Sequence, residues 1–369
     1  MMRHILGQFQ VFGDFASCER YGSGHINDTY KATLDVAGQP VPYLLQRINH
    51  AIFKDPPRLQ ENILRVTRHV AAKLGDGADA SRRALTVIPT HDGQPLHRDA
   101  DGNWWRLYLF IQKARTYDII QNDEQAFQVG RAFAAFQNQL ADLPAPRLHE
   151  TIPDFHNTPK RFEAFQTALR ADAFNRAAGI RPEIAFLEAR AGQCARLLGR
   201  HAKGEIPERI THNDTKLNNV MLDDATGHGI CVIDLDTVMP GLALYDFGDM
   251  CRSGTASAAE DEQDLSKVHC RLDMFRAIAR GYCSGAAFLT AAEKEELAFS
   301  ARLITLTIAI RFLTDYLSGD VYFKTKRPGH NLDRFRMQAK MIASMEEQSD
   351  AMERIVAEAV TDAEGVGSR

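Results

Sequence analysis

Hydrophobic and polar positions divide the chain into a strand-like first third and a helix-like remainder. From Phe9 to about Phe110, β-branched and aromatic residues cluster in Arg20 to Leu34, Pro42 to Ile48, Ala84 to Pro89 and Trp104 to Ile111, separated by Gly, Asp and Asn turns. One helix interrupts them: Leu59, Ile63, Val66, Val70 and Leu74 recur at helical spacing and predict a single apolar face from about Pro57 to Leu74. Beyond Asp118 the period becomes helical. Asn122 is placed to cap a helix whose Phe127, Phe133, Phe136 and Leu140 form an aromatic stripe, a pattern that belongs to packing. Helical spacing continues from Pro159 to Arg200, gives way to short strands around Ile210 and from Ile230 to Leu235, and resumes near Asp261. Thr290 with Glu293 three residues on predicts a capping box opening a long apolar helix to Leu317. Arg302, Arg311 and Asp315 within it predict a buried helix of a large domain in preference to a membrane span.

The expected architecture is therefore α+β and two-lobed. A small, mostly β lobe with one helix spans residues 1–111, a hinge spans 112–118, and a larger α-helical lobe with one strand-loop-strand insert spans 119–369. The last residues, Glu364 to Arg369, read as a frayed tail.

Composition narrows the function classes. With 369 residues, 44% hydrophobic and 25% charged, the chain can bury a large core, which excludes a mainly disordered or fibrous protein. Its 44 basic and 48 acidic residues are scattered and sum to −4, so no basic surface is expected to attract nucleic acid. The N-terminal residues lead to Gly7, Gln8 and Gln10 instead of a long apolar core, so no membrane association and a cytosolic location are expected. Six cysteines without a C-x-x-C pair predict reduced, mostly buried thiols.

The chemistry concentrates in the insert. Thr211-His212-Asn213-Asp214-Thr215-Lys216-Leu217-Asn218-Asn219 fits H-x-D-x-x-x-x-N, and Cys231-Val232-Ile233-Asp234-Leu235-Asp236 ends an apolar strand in two carboxylates. Phosphoryl transfer needs a carboxylate to orient the attacking hydroxyl, and an amide oxygen with another carboxylate to hold Mg²⁺ against the phosphates. Asp214 is placed as the base, Asn219 and Asp234 as metal ligands, and Asp236 as a second carboxylate ligand; Lys216 would offset charge on the transferred group. The bland alternative for the loop alone is a polar turn, and His212 is expected to brace it. Tyr245-Asp246-Phe247-Gly248-Asp249 contains the metal-binding triplet of protein kinases but follows no strand, so it predicts a structural turn with Asp246 as a helix cap.

In the small lobe, Gly22-Ser23-Gly24 lies in a glycine turn between strand-like segments and is a candidate lid over ATP phosphates. With Asn27 at the third glycine position and no G-K-[ST] anywhere, neither a dinucleotide fingerprint nor a P-loop fits. A strand cation paired with a helix glutamate is expected to fix the phosphates. Arg47 and Glu61 are the candidates, although a one-residue register change would put Gln46 in place of Arg47. Gln112, Lys113 and Ala114 would form the backbone hinge against adenine.

With these motifs the sequence resembles the aminoglycoside phosphotransferase superfamily, with its protein-kinase-like fold, and within it the bacterial N-acetylhexosamine 1-kinases. Gly24-His25-Ile26-Asn27-Asp28-Thr29-Tyr30, Leu45-Gln46-Arg47-Ile48-Asn49 and Arg311-Phe312-Leu313-Thr314-Asp315-Tyr316-Leu317 carry the likeness over nearly the whole chain. The resemblance implies ATP- and Mg²⁺-dependent transfer to the anomeric hydroxyl of N-acetylglucosamine or N-acetylgalactosamine, with His25, Arg311 and Tyr322 contacting the sugar beside Asp214. Gln46-Arg47 departs from the lysine usual in protein kinases.

Read without the resemblance, Arg311 is a partner for Asp315 four residues on. Another small alcohol, such as an aminoglycoside or choline, is the competing acceptor. Glu260, Asp261, Glu262 and Asp264 are the acidic run a polycation would need, or else a solvated helix start. A pseudokinase is the alternative from a different class, and the presence of Asp214, Asn219 and Asp234 weighs against it.

Overall fold

The computed structural model describes residues 1–22, 26–75, 77 and 79–367. The chain forms two compact units: one from Met1–Arg115, Asp142–Pro153 and Met221–Pro240, the other from Thr116–Ala141, Asp154–Val220 and Gly241–Arg369. The expected lobes were contiguous, whereas the first unit also draws in two later segments, one of which carries Asp234 and Asp236.

The first unit is built on an antiparallel sheet. Its strands run in the order Asp14–Arg20, Asp28–Val36, Gln39–Ile48, Trp104–Leu109 and Val87–Ile88, with His97–Arg98 also paired to Trp104–Leu109. Ala32, Leu34, Tyr43, Leu45, Trp105 and Leu107 point to one face and bury against Ile5, Leu6 and Phe9 of the N-terminal segment. Because side chains alternate along a strand, Thr29, Gln46 and Arg106, which stand opposite one another in the register, occupy the other face. The strands Asp14–Arg20 and Asp28–Val36 stand on either side of the expected glycine turn, of which Gly22, Ile26 and Asn27 are described. The expected helix runs Pro56–Leu74, its first turn held by the Asp55 side chain accepting from the Arg58 N–H.

A second small sheet joins Ala114–Arg115, Val220–Asp223 and Gly229–Val232. The last of these strands stops at Val232, short of the expected Leu235, and Asp234 takes a left-handed backbone at φ 58° before the 3₁₀ turn Leu235–Thr237.

The second unit is helical. Asp123–Leu140, capped by Asn122, packs against Leu272–Gly285 so closely that a Cβ on Gly130 would lie 2.4 Å from the Ile278 carbonyl oxygen, and one on Gly281 2.1 Å from that of Phe127. Ala291–Leu317 opens with the complete Thr290–Glu293 capping box. It is long and apolar enough to cross a membrane, but 83% of its apolar window is buried inside the protein, among Phe162, Phe165, Phe335 and other side chains.

Candidate active site

In the second unit, the strand Arg209–Thr211 delivers the chain to a loop whose backbone is fixed from several sides. Asn213 adopts a left-handed conformation at φ 67°, a strained one for a side-chain-bearing residue. His156 Nε2 bonds its carbonyl oxygen at 2.9 Å, and its amide side chain bonds Thr211. Burial pushes the His156 imidazole down to about 4, so it is neutral and donates this bond at physiological pH.

The next residue is Asp214, with its side chain about one quarter exposed. Lys216 Nζ lies 3.0 Å from Oδ1, and Asn219 Nδ2 donates to the Asp214 carbonyl at 2.7 Å and to Oδ2 at 3.1 Å. Burial raises the Asp214 pKa, but the charge and hydrogen bond of Lys216 together with the charges of His212 and Arg252 outweigh it, and the carboxyl rests below its usual range, ionised at neutral pH. With both amide bonds of Asn219 directed to Asp214, its Oδ1 is the atom left for a cation, a hard oxygen donor of the kind Mg²⁺ takes.

The Tyr245–Asp249 segment turns out to be what braces this loop. It lies within the helix Ala243–Gly254, whose own N-cap is Leu242, so Asp246 does not cap that helix as expected. Instead its fully buried carboxylate accepts from the His212 N–H at 2.8 Å, the Asn213 N–H at 2.7 Å and Gln137 Nε2 at 2.7 Å. Thr215 donates its hydroxyl to the Asp246 carbonyl and its N–H to Asp249, which is paired with Arg252 at 2.9 Å. Phe133 and Phe136 stand edge-on to His212, giving the aromatic stripe a part in holding the loop.

Burial pushes the Asp246 carboxyl up to about 6. The native state therefore holds this proton more tightly than the unfolded chain, and the group's contribution to stability declines as pH rises from about 4 through 6. Protonation also puts a hydrogen on an oxygen at which N–H groups aim. Turnover at saturating substrates is expected to fall on the acid side with a midpoint near pH 6, and the limb is expected to move in Asp246→Asn. A native profile flat down to pH 5 would contradict this.

Arg311 does not pair with Asp315. Its guanidinium carbon lies 4.9 Å from the ring centroid of Phe155, 5.4 Å from that of Phe323 and 5.5 Å from that of Tyr322, with Nη2 3.3 Å from the Tyr322 hydroxyl. Asp315 instead accepts from three successive backbone N–H groups, Val321, Tyr322 and Phe323, at 2.8 to 2.9 Å. It thereby fixes the turn that carries Tyr322. Arg161 bonds the Phe155 carbonyl, and burial followed by the Arg311 charge holds its pKa below the usual value.

In the first unit Asp234 is accompanied by a buried network. Arg106 Nη1 and Nη2 bind Asp236 Oδ1 and Oδ2 at 2.5 and 2.9 Å, both residues being almost fully buried. Asn27 Nδ2 donates to Oδ2 at 2.6 Å, and the Thr151 hydroxyl donates to the Asp236 carbonyl at 2.8 Å. With both carboxylate oxygens so engaged, Asp236 is not placed as the second metal ligand the sequence suggested.

The register puts Gln46, not Arg47, on the face of Arg106, and Gln46 Oε1 accepts from Arg106 Nε at 2.9 Å. Arg47 lies on the opposite face and pairs with Asp28. Nor does Glu61 meet Arg47; it bonds His149 Nε2 at 2.9 Å.

In the expected hinge, Lys113 is left-handed at φ 56°, and the carbonyls of Gln112 and Lys113 accept from Arg82 at 3.0 and 2.8 Å. Arg82 is itself held by Asp223 at 2.6 Å. Ala114 pairs with Asp223 in the small sheet. Nearby Ile111, Met221 and Cys231 form an apolar cluster with Leu85, Ala114, Ile230 and Ile233. Gly22 has a positive φ of 79° in the glycine turn, while Ser23, Gly24 and His25 lie outside the described residues.

Sequence reasoning missed Arg106, Arg82 and the bracing role of Asp246. Their partners lie 130, 141 and about 33 residues away in the chain, beyond the reach of any spacing rule.

Solved structures share this fold. A microcompartment-associated aminopropanol kinase matches with a TM-score of 0.57 at 16% identity, over 95% of this chain and 98% of its own. Choline kinase from Cryptosporidium parvum matches with a TM-score of 0.53 at 14% identity, over 94% and 93% of the two chains. An ADP-bound aminoglycoside phosphotransferase matches with a TM-score of 0.52 at 13% identity, over 92% and 98%. The family model described as the phosphotransferase enzyme family, APH, matches residues 17–279, which include the Asp214 loop, the Asp234 turn and the helix that braces the loop. The chain belongs to this phosphotransferase family and is a small-molecule phosphotransferase.

Proposed function

We propose that the protein transfers the γ-phosphate of ATP to the anomeric hydroxyl of a neutral N-acetylhexosamine. Asp214 takes the hydroxyl proton as the new O–P bond forms and the bond from phosphorus to the bridging oxygen of ADP breaks. The carboxylate suits this role because it is ionised and immobilised by Asn219 and the braced loop. Lys216 lies within reach to offset negative charge as the phosphoryl group moves. Asn219 Oδ1 and the Asp234 carboxylate are each a hard oxygen donor of the kind Mg²⁺ takes, and the chemistry that ion would supply is to neutralise phosphate charge. The apolar cluster around Ile111, Met221 and Ala114 beside the hinge backbone would wall the adenine.

The acceptor class rests on one observation. The aromatic surroundings formed by Phe155, Tyr322 and Phe323 are already occupied by the chain's own cation, Arg311, with Arg161 adjacent. A cationic acceptor, such as the substrates of the structurally similar aminopropanol and choline kinases, would meet like charge there. The acidic run offers no compensation, because its carboxylates are engaged. Glu260 pairs with Arg252, Asp261 with Arg327 and His330, Asp264 with Lys267 and its own turn, and Glu262 with the Asp264 N–H. A neutral sugar carrying carbonyl and hydroxyl oxygens is what a guanidinium and a phenol can bind.

The test is steady-state kinetics on neutral and cationic acceptors. N-acetylglucosamine and N-acetylgalactosamine are expected to be phosphorylated in strong preference to choline, ethanolamine and kanamycin. Arg311→Ala is expected to raise the acceptor KM about 10- to 100-fold, the loss of hydrogen bonds from a charged donor, and leave the KM for ATP unchanged. Preference for a cationic acceptor would overturn the assignment.

A further inference from the structure

Kinase chemistry asks for a cation on the sheet, paired with a helix carboxylate, to order the nucleotide end of the site. The residues at those places are otherwise committed, Arg47 to Asp28 and Glu61 to His149. The buried cation of this sheet is Arg106, one strand over and directly opposite Gln46. We propose that Arg106 is a positioning residue for the metal ligand Asp234, acting through Asp236. This deepens the phosphotransferase reading of the same site and rests on it.

The geometry runs in one direction. Asp234 sits at φ 58° and ψ 60°, a left-handed conformation that residues with a side chain rarely adopt and that persists only where its surroundings impose it. Two residues on, Asp236 is fastened at three atoms: Oδ1 by Arg106, Oδ2 by Arg106 and Asn27, and its carbonyl by Thr151. Arg106 is in turn aimed by Gln46, which is oriented by the Thr29 hydroxyl at 2.9 Å. The turn bearing the metal carboxylate is thus clamped to the middle of the sheet. Arg106 itself is 1% exposed, with Nε, Nη1 and Nη2 all occupied, so it cannot reach a phosphate and does its work at one remove. Asn27 ties the end of the glycine turn to the same carboxylate and accepts from the Asn49 N–H.

The experiment measures Mn²⁺ affinity of the protein-ADP complex by electron paramagnetic resonance, alongside thermal melting and the KM values for Mg-ATP and acceptor. Arg106→Lys keeps the charge but loses the two-pronged contact. It is expected to weaken Mn²⁺ binding at least tenfold and raise the KM for Mg-ATP similarly, with the acceptor KM within about twofold of native. Thr151→Val, which leaves the ion pair intact, loosens the same turn and is expected to weaken Mn²⁺ binding two- to threefold; it carries the test if Arg106→Lys does not fold.

Lowered melting with native Mn²⁺ affinity in both variants would make the pair purely structural and overturn the proposal. So would an Asp236→Asn protein that loses Mn²⁺ while Arg106→Lys and Thr151→Val retain it, since Asp236 would then be a ligand itself. A native protein that binds no Mn²⁺ with ADP would instead remove the nucleotide reading on which both stand.

Discussion

Asp214→Asn is expected to lower kcat by about 1,000-fold while leaving Mg-ADP affinity within about twofold of native. General-base assistance contributes roughly 10²- to 10⁴-fold, and the middle of that range is expected here because Asp214 is an ionised carboxylate held in place. The substitution is nearly isosteric and keeps an acceptor for Lys216 and Asn219, so the loop should survive it. Rapid-quench turnover with a separate nucleotide titration separates the two effects. Loss of nucleotide binding in parallel with turnover would mean that Asp214 supports the site instead of acting on the hydroxyl.

Asp246→Ala is the second large effect, and it falls first on stability. It leaves the His212 and Asn213 N–H groups and the Gln137 amide without their acceptor in a fully buried place, at roughly 1–3 kcal/mol for each. Relief from holding a buried charge offsets part of that, so a net loss of about 3 kcal/mol is expected. Turnover should fall further than the folded fraction does, because the left-handed Asn213 just before Asp214 then loses the carboxylate that its backbone N–H meets, and its bonds to His156 and Thr211 must hold the loop without it. Calorimetric melting with kcat measured well below the transition checks both. A variant as active per folded molecule as the native chain would show that the loop needs no carboxylate beneath it.

What could be read from the sequence was what local chemistry specifies. Helix starts at Asn122 and at Thr290–Glu293 involve residues three apart, and both form as expected. The H-x-D-x-x-x-x-N loop is likewise a local constellation, and Asp214, Lys216 and Asn219 do converge. The strand Gln39–Ile48 was ambiguous because Leu44 and Ile48 on one face match Tyr43 and Leu45 on the other, leaving alternation no direction; only the sheet register separates Gln46 from Arg47.

The Arg311–Asp315 spacing was legible and misleading. Three consecutive backbone N–H groups offer a carboxylate more than one half-buried guanidinium does, and the turn carrying Tyr322 depends on that choice. The acidic run illustrates the same limit, since whether Glu260 and Asp261 face a ligand or neighbouring arginines and a histidine is settled by residues 8 to 69 positions away. Arg106 and Asp236 could be identified as charged residues but not as partners.

The most direct measurement is phosphorus NMR of the protein with Mg-ATP and N-acetylglucosamine, N-acetylgalactosamine, glucose, choline or kanamycin in separate tubes. Growth of a sugar-phosphate doublet coupled to the anomeric proton, with ADP appearing in step and only in the N-acetylhexosamine tubes, is the expected result. A phosphate ester growing instead on choline or kanamycin would contradict it.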